Sequence, residues 1–152
     1  MTMQSTPPRD VLTHRVAVGA YLFRGERILL LKRAKPPLTF APPGGKLDLN
    51  EDPVEGLRRE VREETGLEIE LVGVAHTWFG SIHEDWPPLL GIDFVAESLA
   101  GDVILSDEHH EFMWATRADV QNGVMRLLDD KLYGYAPEYI LRAFDLYERL
   151  KK

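Results

Sequence analysis

The chain has 152 residues, 44% of them hydrophobic and 28% charged, with a net charge of −7 and no cysteine. That length suits one domain with a substantial core, and the lack of thiols excludes disulfides, zinc–thiolate sites, iron–sulfur clusters and thiol nucleophiles. The acidic balance argues against non-specific nucleic-acid binding, which needs clustered Lys and Arg. No apolar run approaches the roughly 18 residues needed to span a bilayer, so neither nucleic acid nor membrane is expected as a partner.

Residues 1–12 read as a loose tail ahead of a single domain over 13–152. Met1 to Asp10 is polar, contains Pro7 and Pro8, and lacks the basic start and apolar stretch of a secretory signal. This and the missing cysteines fit a cytoplasmic protein. Val16 to Phe23, rich in β-branched and aromatic residues, reads as a strand. After a turn at Arg24-Gly25-Glu26, the four aliphatics Ile28 to Leu31 read as a buried strand ended by Pro36 and Pro37. Thr39 to Pro43 reads as a short connection leading to Gly44-Gly45. A helix is predicted over Pro53 to Thr65, with Asp52 as cap, Pro53 at the first helical position, Glu55 three after the cap and Gly66 as a left-handed end. Ile69 to Thr77, Leu89 to Ala96 and Phe112 to Ala115 follow as strands, and Arg117 to Leu128 holds a short helix interrupted near Gly123. A last helix starts at Pro137, with Tyr139, Ile140, Ala143, Phe144, Tyr147 and Leu150 at helical spacing. Strands interleaved with two good helices predict an α/β fold, its sheet covered on both faces.

The helix over Pro53 to Thr65 carries the chemistry. Glu60, Glu63 and Glu64 are three and four residues apart and share one helix face. Val54, Leu57 and Val61 form an apolar stripe beside them, roughly 110° around the helix. Like charges at these spacings cost on the order of 0.2–0.5 kcal/mol per pair, and more where water is excluded. Arg58, Arg59 and Arg62 on the same helix could offset part of that cost; a hard divalent cation would offset more, and carboxylate oxygens are what magnesium prefers. Taken alone, the charge pattern reads as a solvated, salt-bridged helix face.

The flanking residues change that reading. Gly45, Glu51, Arg59-Glu60-Val61, Glu63-Glu64 and Gly66-Leu67 stand at fixed spacings within 23 residues. This pattern resembles the Nudix box at every defining position, and Ala41-Pro42-Pro43-Gly44-Gly45-Lys46 is similar to the family's approach to the box. The resemblance implies an α/β/α sandwich with a mixed β-sheet. It implies Mg2+, with Mn2+ able to substitute, held by Glu60, Glu63, Glu64 and the carbonyl of Gly44. It also implies that Arg59 pairs with Glu51 to hold the loop against the helix, a positioning role suited to a bidentate pair. The expected reaction is attack of water on a phosphorus of a nucleoside diphosphate linked to another moiety, with Glu63 or Glu108 taking the proton. Glu108 stands six residues before Trp114, as a loop glutamate does in several family members, and Glu111 competes with it in the same loop.

His109 and His110 read as exposed loop residues, and His76 and His83 as nearer to substrate contact than to catalysis. Arg33, Phe40, Lys46 and Trp78 are the candidate substrate-binding residues, the aromatic ones for stacking on a base; Phe79 and Trp86 are further aromatic candidates. Subfamily signatures leave the substrate open among nucleoside triphosphates, nucleotide sugars and ADP-ribose-like compounds. A homodimer also stays open. The alternative to an enzyme is a non-catalytic Nudix-fold nucleotide-binding or sensor module, although such modules usually lose the box glutamates that this chain keeps.

Overall fold

The structure is a computed structural model and describes residues 13–152; the expected tail over 1–12 lies outside the described residues. Seven strands form one mixed sheet: β1 (Val16–Arg24), β2 (Arg27–Arg33), β3 (Phe40–Ala41), β4 (Gly44–Lys46), β5 (Ile69–Gly80), β6 (Leu89–Ser98) and β7 (His109–Thr116). The main order is β3-β2-β1-β6-β5, with β4 against β1 and β7 against β2. Among the described residues only β1 and β6 run parallel; the other pairs are antiparallel. The helices are α1 (Pro53–Thr65), α2 (Arg117–Gln121) and α3 (Pro137–Leu150).

Alternation along the strands divides the core between two faces. Val18, Ala20 and Leu22 of β1 and Leu29 and Leu31 of β2 face one cluster, closed by Leu57 and Val61 of α1. Tyr21 and Phe23 of β1 and Ile28 and Leu30 of β2 face a second, closed by Ile140, Ala143 and Phe144 of α3. The unbroken run Ile28 to Leu31 is thereby explained, because every one of its side chains is fully buried. Among the described residues no helix is long and apolar enough to cross a membrane.

The signals read for α1 act in the structure as capping rules require. Asp52 Oδ2 accepts from the amides of Val54 (3.0 Å) and Glu55 (3.2 Å), and Gly66 ends the helix at φ 74° with its amide on Arg62 O. One expectation needs correction. Thr39 to Pro43 with Gly44-Gly45 contains β3 and begins β4, pieces too short and too rich in Pro and Gly to show a period. In α3, Tyr139 and Leu150 hold helical spacing with the apolar residues but are 44% and 47% exposed; Tyr139 instead stacks on His76 of β5, ring centres 5.2 Å apart.

Candidate active site

Helix α1 lies across β4 so that its acidic face meets the two glycines. A side chain at Gly44 would put its Cβ 2.2 Å from the Val18 carbonyl, and one at Gly45 would sit 2.5 Å from the Glu60 carboxylate. The missing side chain lets β4 approach β1 at Gly44 and α1 at Gly45, which brings the glutamates onto backbone polar groups. The Gly44 amide donates to Glu64 Oε1 at 3.1 Å.

The three helix glutamates differ sharply in exposure. Glu63 is 59% exposed, Glu60 14% and Glu64 4%. Burial raises the pKa of Glu60, and the nearby negative charges of Glu63 and Glu108 add to the rise. Burial pushes Glu64 up to about 9, with Glu60, Glu108 and Glu63 adding to it against the Gly44 amide. Both responses are those of acids withdrawn from water and placed beside like charges.

One arginine answers this charge. Arg59 grips Glu51 with two parallel bonds, Nε to Oε2 at 2.7 Å and Nη2 to Oε1 at 2.8 Å. Its Nη1 lies between Glu60 Oε1 (3.0 Å) and Glu63 Oε2 (3.2 Å). Glu51, held chiefly by this guanidinium, has its carboxyl lowered to about 2. Arg58 and Arg62 are engaged elsewhere. Arg58 Nη1 donates to Ile69 O at 2.6 Å, and Arg62 makes a forked pair with Glu68.

The loop before β7 faces this group. Glu108 lies close enough to raise both Glu60 and Glu64, whereas Glu111 pairs with Lys32 at 3.4 Å. His109 departs from its expected exposure. Its side chain is 12% exposed, its Nε2 lies 3.4 Å from Glu64 Oε2, and burial lowers its pKa. Beside a loop acid it reads as solvated; its burial coincides with a break in the β2–β7 register, which adjacent histidines in a sequence do not announce.

The substrate-contact candidates divide between this centre and the α3 face. Lys46 leaves β4 with its Nζ 4.2 Å from the centre of the Trp86 ring. Arg33 ends β2 opposite His109. Phe40 packs against the cluster on the α3 face. Trp78 donates from Nε1 to Asp93 Oδ2 at 3.0 Å and lies so close over Gly91 that a Cβ there would meet its ring. Asp93 is a polar centre that the apolar look of Leu89 to Ala96 conceals; its Oδ1 also accepts from Tyr135 at 2.9 Å, and His76 Nε2 is 3.4 Å away.

The donors around α1 suit a hard cation: carboxylate oxygens, two of them on buried or nearly buried side chains, beside a backbone turn. Among the described residues no three acids or histidines close around one point, and Arg59 stands between Glu60 and Glu63.

A mixed sheet between two helices, with an acidic helix face against a glycine-rich strand, defines an α/β/α sandwich with a polyacidic centre. The NUDIX domain family model matches residues 13–135, and the chain belongs to the Nudix hydrolase family. It is 30% identical over 142 residues to the uncharacterized Nudix hydrolase YvcI of Bacillus subtilis, covering 80% of this chain and 87% of that protein. It is 29% identical over 98 residues to an ADP-ribose pyrophosphatase of Methanocaldococcus jannaschii, covering 63% of this chain and 58% of the archaeal one. The fold is shared with a Nudix-family hydrolase from Clostridium perfringens at a TM-score of 0.73 and 19% identity, over 90% of this chain and 99% of that one.

Proposed function

We propose that the chain is a magnesium-dependent pyrophosphohydrolase acting on a nucleoside diphosphate linked to another moiety, with manganese able to replace magnesium. The single observation that carries this reading is the carboxylate pair Glu60 and Glu64, withdrawn from water on one helix face with Arg59 as the counter-charge within reach. Glu60, Glu63, Glu64 and the Gly44 carbonyl would hold the cation. The bound cation would neutralise the diphosphate and make its phosphorus more open to attack.

The chain's own residues supply the rest. Arg59 and Glu51 clamp the loop onto α1 and keep Glu60 and Glu63 on one side of it. Glu108 is the base: Glu111 is engaged by Lys32 and Glu63 by Arg59, while among the described residues Glu108 has no ion pair. The proton of the attacking water passes to the Glu108 carboxylate as the oxygen–phosphorus bond forms and the anhydride bond breaks. The nucleotide leaves with the bridging electron pair. Lys46 and Arg33 bind phosphate oxygens.

The archaeal relative's name puts ADP-ribose first among candidate substrates. The test is nucleotide and phosphate release from ADP-ribose, nucleotide sugars, dinucleoside polyphosphates and nucleoside triphosphates, with magnesium, with manganese and with chelator. Chelator-sensitive cleavage of one class supports the reading and names the substrate. Cleavage that survives chelation removes the metal from it, and a silent panel with tight nucleotide binding favours the sensor module.

A further inference from the structure

Strand β7 reaches the site by way of an irregularity. Along β2, Lys32 pairs with Glu111 but Arg33 pairs with His109, so His110 is an extra residue in the ladder. A bulge of this kind redirects the side chains on either side of it. Here it accompanies an imidazole turned inward: His109 is nearly buried, with Nε2 3.4 Å from Oε2 of Glu64.

Glu64 is therefore approached from two elements other than its own helix. The Gly44 amide of β4 takes Oε1, and the His109 ring at the start of β7 faces Oε2. The ring nitrogen that approaches Oε2 is Nε2. The other is Nδ1. Among the described residues it is the buried side-chain polar atom that has no hydrogen-bond partner. A buried group left unpaired costs stability, and an apolar residue of similar size at 109 would avoid that cost. A histidine kept there at a cost to the fold points to a use for its other nitrogen.

We propose that His109 is a positioning residue that holds the Glu64 carboxylate in the orientation in which it receives the cation. The proposal rests on the reading of Glu64 as a metal ligand. It makes the β7 bulge part of the site and gives the junction of the preceding loop with β7 two separate roles. Glu108 handles the proton, and His109 orients a ligand. Partners that orient a ligand in this way typically contribute about 10–100-fold in metal affinity.

The experiment measures Mn2+ binding by the loss of the free-ion electron paramagnetic resonance signal, without substrate. It compares the wild type with His109→Leu, His109→Gln and Glu64→Gln, with metal-free melting temperatures alongside. The Gln amide nitrogen can reach the place of Nε2, whereas Leu keeps only the volume. The expected result is Mn2+ affinity about 10–100-fold weaker in His109→Leu, recovered to within a few-fold in His109→Gln, with no loss of melting temperature in the Leu variant. Wild-type affinity in His109→Leu, beside the loss of binding in Glu64→Gln, overturns the role of His109 and leaves the metal site standing. Unchanged affinity in Glu64→Gln overturns both. If His109→Leu fails to fold, His109→Gln decides: affinity within a few-fold of wild type supports the proposal, and a loss as large as in Glu64→Gln overturns it.

Discussion

The two faces of the sheet each bury a carboxylate, and they treat it in opposite ways. Asp93, on the α3 face, is 2% exposed and surrounded by donors: Tyr135 on one oxygen, Trp78 on the other, and His76 close by. Glu64, on the α1 face, is as deeply buried but has one backbone amide and one imidazole contact, with three acids pressing on it. A buried acid saturated by neutral donors is a fastener between β5, β6 and the segment before α3. A buried acid left among like charges destabilises the fold unless a cation arrives. The difference separates a carboxylate that holds structure from one that we propose takes part in the chemistry.

That contrast can be broken most forcefully at the acidic face. Replacing Glu64 or Glu60 with Gln should lower turnover by about 10³-fold or more, the equivalent of roughly 4 kcal/mol of transition-state stabilisation. The metal-free melting temperature should not fall, because the substitution removes repulsion; steady-state rates with thermal melts check both. Glu108→Gln should cost about 10²–10⁴-fold in kcat while leaving Mn2+ affinity within a few-fold of wild type. Equal rates for the Gln variant would move the base to another residue.

The opposite face should respond in stability instead. Asp93→Ala leaves the Tyr135 hydroxyl and the Trp78 indole N–H unpaired in the interior, at about 1–3 kcal/mol for each unsatisfied group. The expected drop in melting temperature is about 2–4 °C per kcal/mol for a chain near this size, with Mn2+ affinity unchanged. Loss of metal binding in this variant would erase the distinction between the faces.

The smallest effect concerns the clamp. The Arg59 guanidinium lowers the Glu51 carboxyl to about 2. A depressed folded-state pKa contributes stability above the unfolded value near 4.5, and that contribution is lost as pH falls towards 2. The stability gap between wild type and Glu51→Gln should therefore be widest above about pH 5 and narrow steadily in acid, as read by denaturation at several pH values. A gap independent of pH would mean that the pair contributes packing rather than charge.

What could be read from the residues follows the same division. Helix α1 announces itself through Asp52, Pro53 and Gly66, and its acidic and apolar stripes are local, so both its bounds and its chemistry are visible in one short segment. Strands β3 and β4 are not, because two or three residues beside prolines and glycines carry no period. Asp93 hides in an apolar strand and gains its meaning from Tyr135, 42 positions away. A lone acid in a core strand is the signal that could have raised it. His109 looks solvated in the sequence, and the bulge beside which it is buried leaves no mark there. Trp78 reads as a stacking residue, yet its indole N–H is bound to Asp93 and its ring lies over Gly91, contacts that depend on strand register rather than on neighbours in sequence.

The function proposed for this chain requires the acidic face of α1 to be a divalent-cation site and the Asp93 face not to be one. The melting temperature, followed as magnesium is titrated, reads that difference without substrate, since a ligand that binds only the folded state stabilises it by RT ln(1 + [L]/Kd). The expected result is a rising curve for the wild type, a parallel rise from a lower baseline for Asp93→Ala, and a flat line for Glu60→Gln and Glu64→Gln. A wild-type curve that stays flat, or a Glu64→Gln curve that climbs with it, would contradict the assignment of the cation to α1.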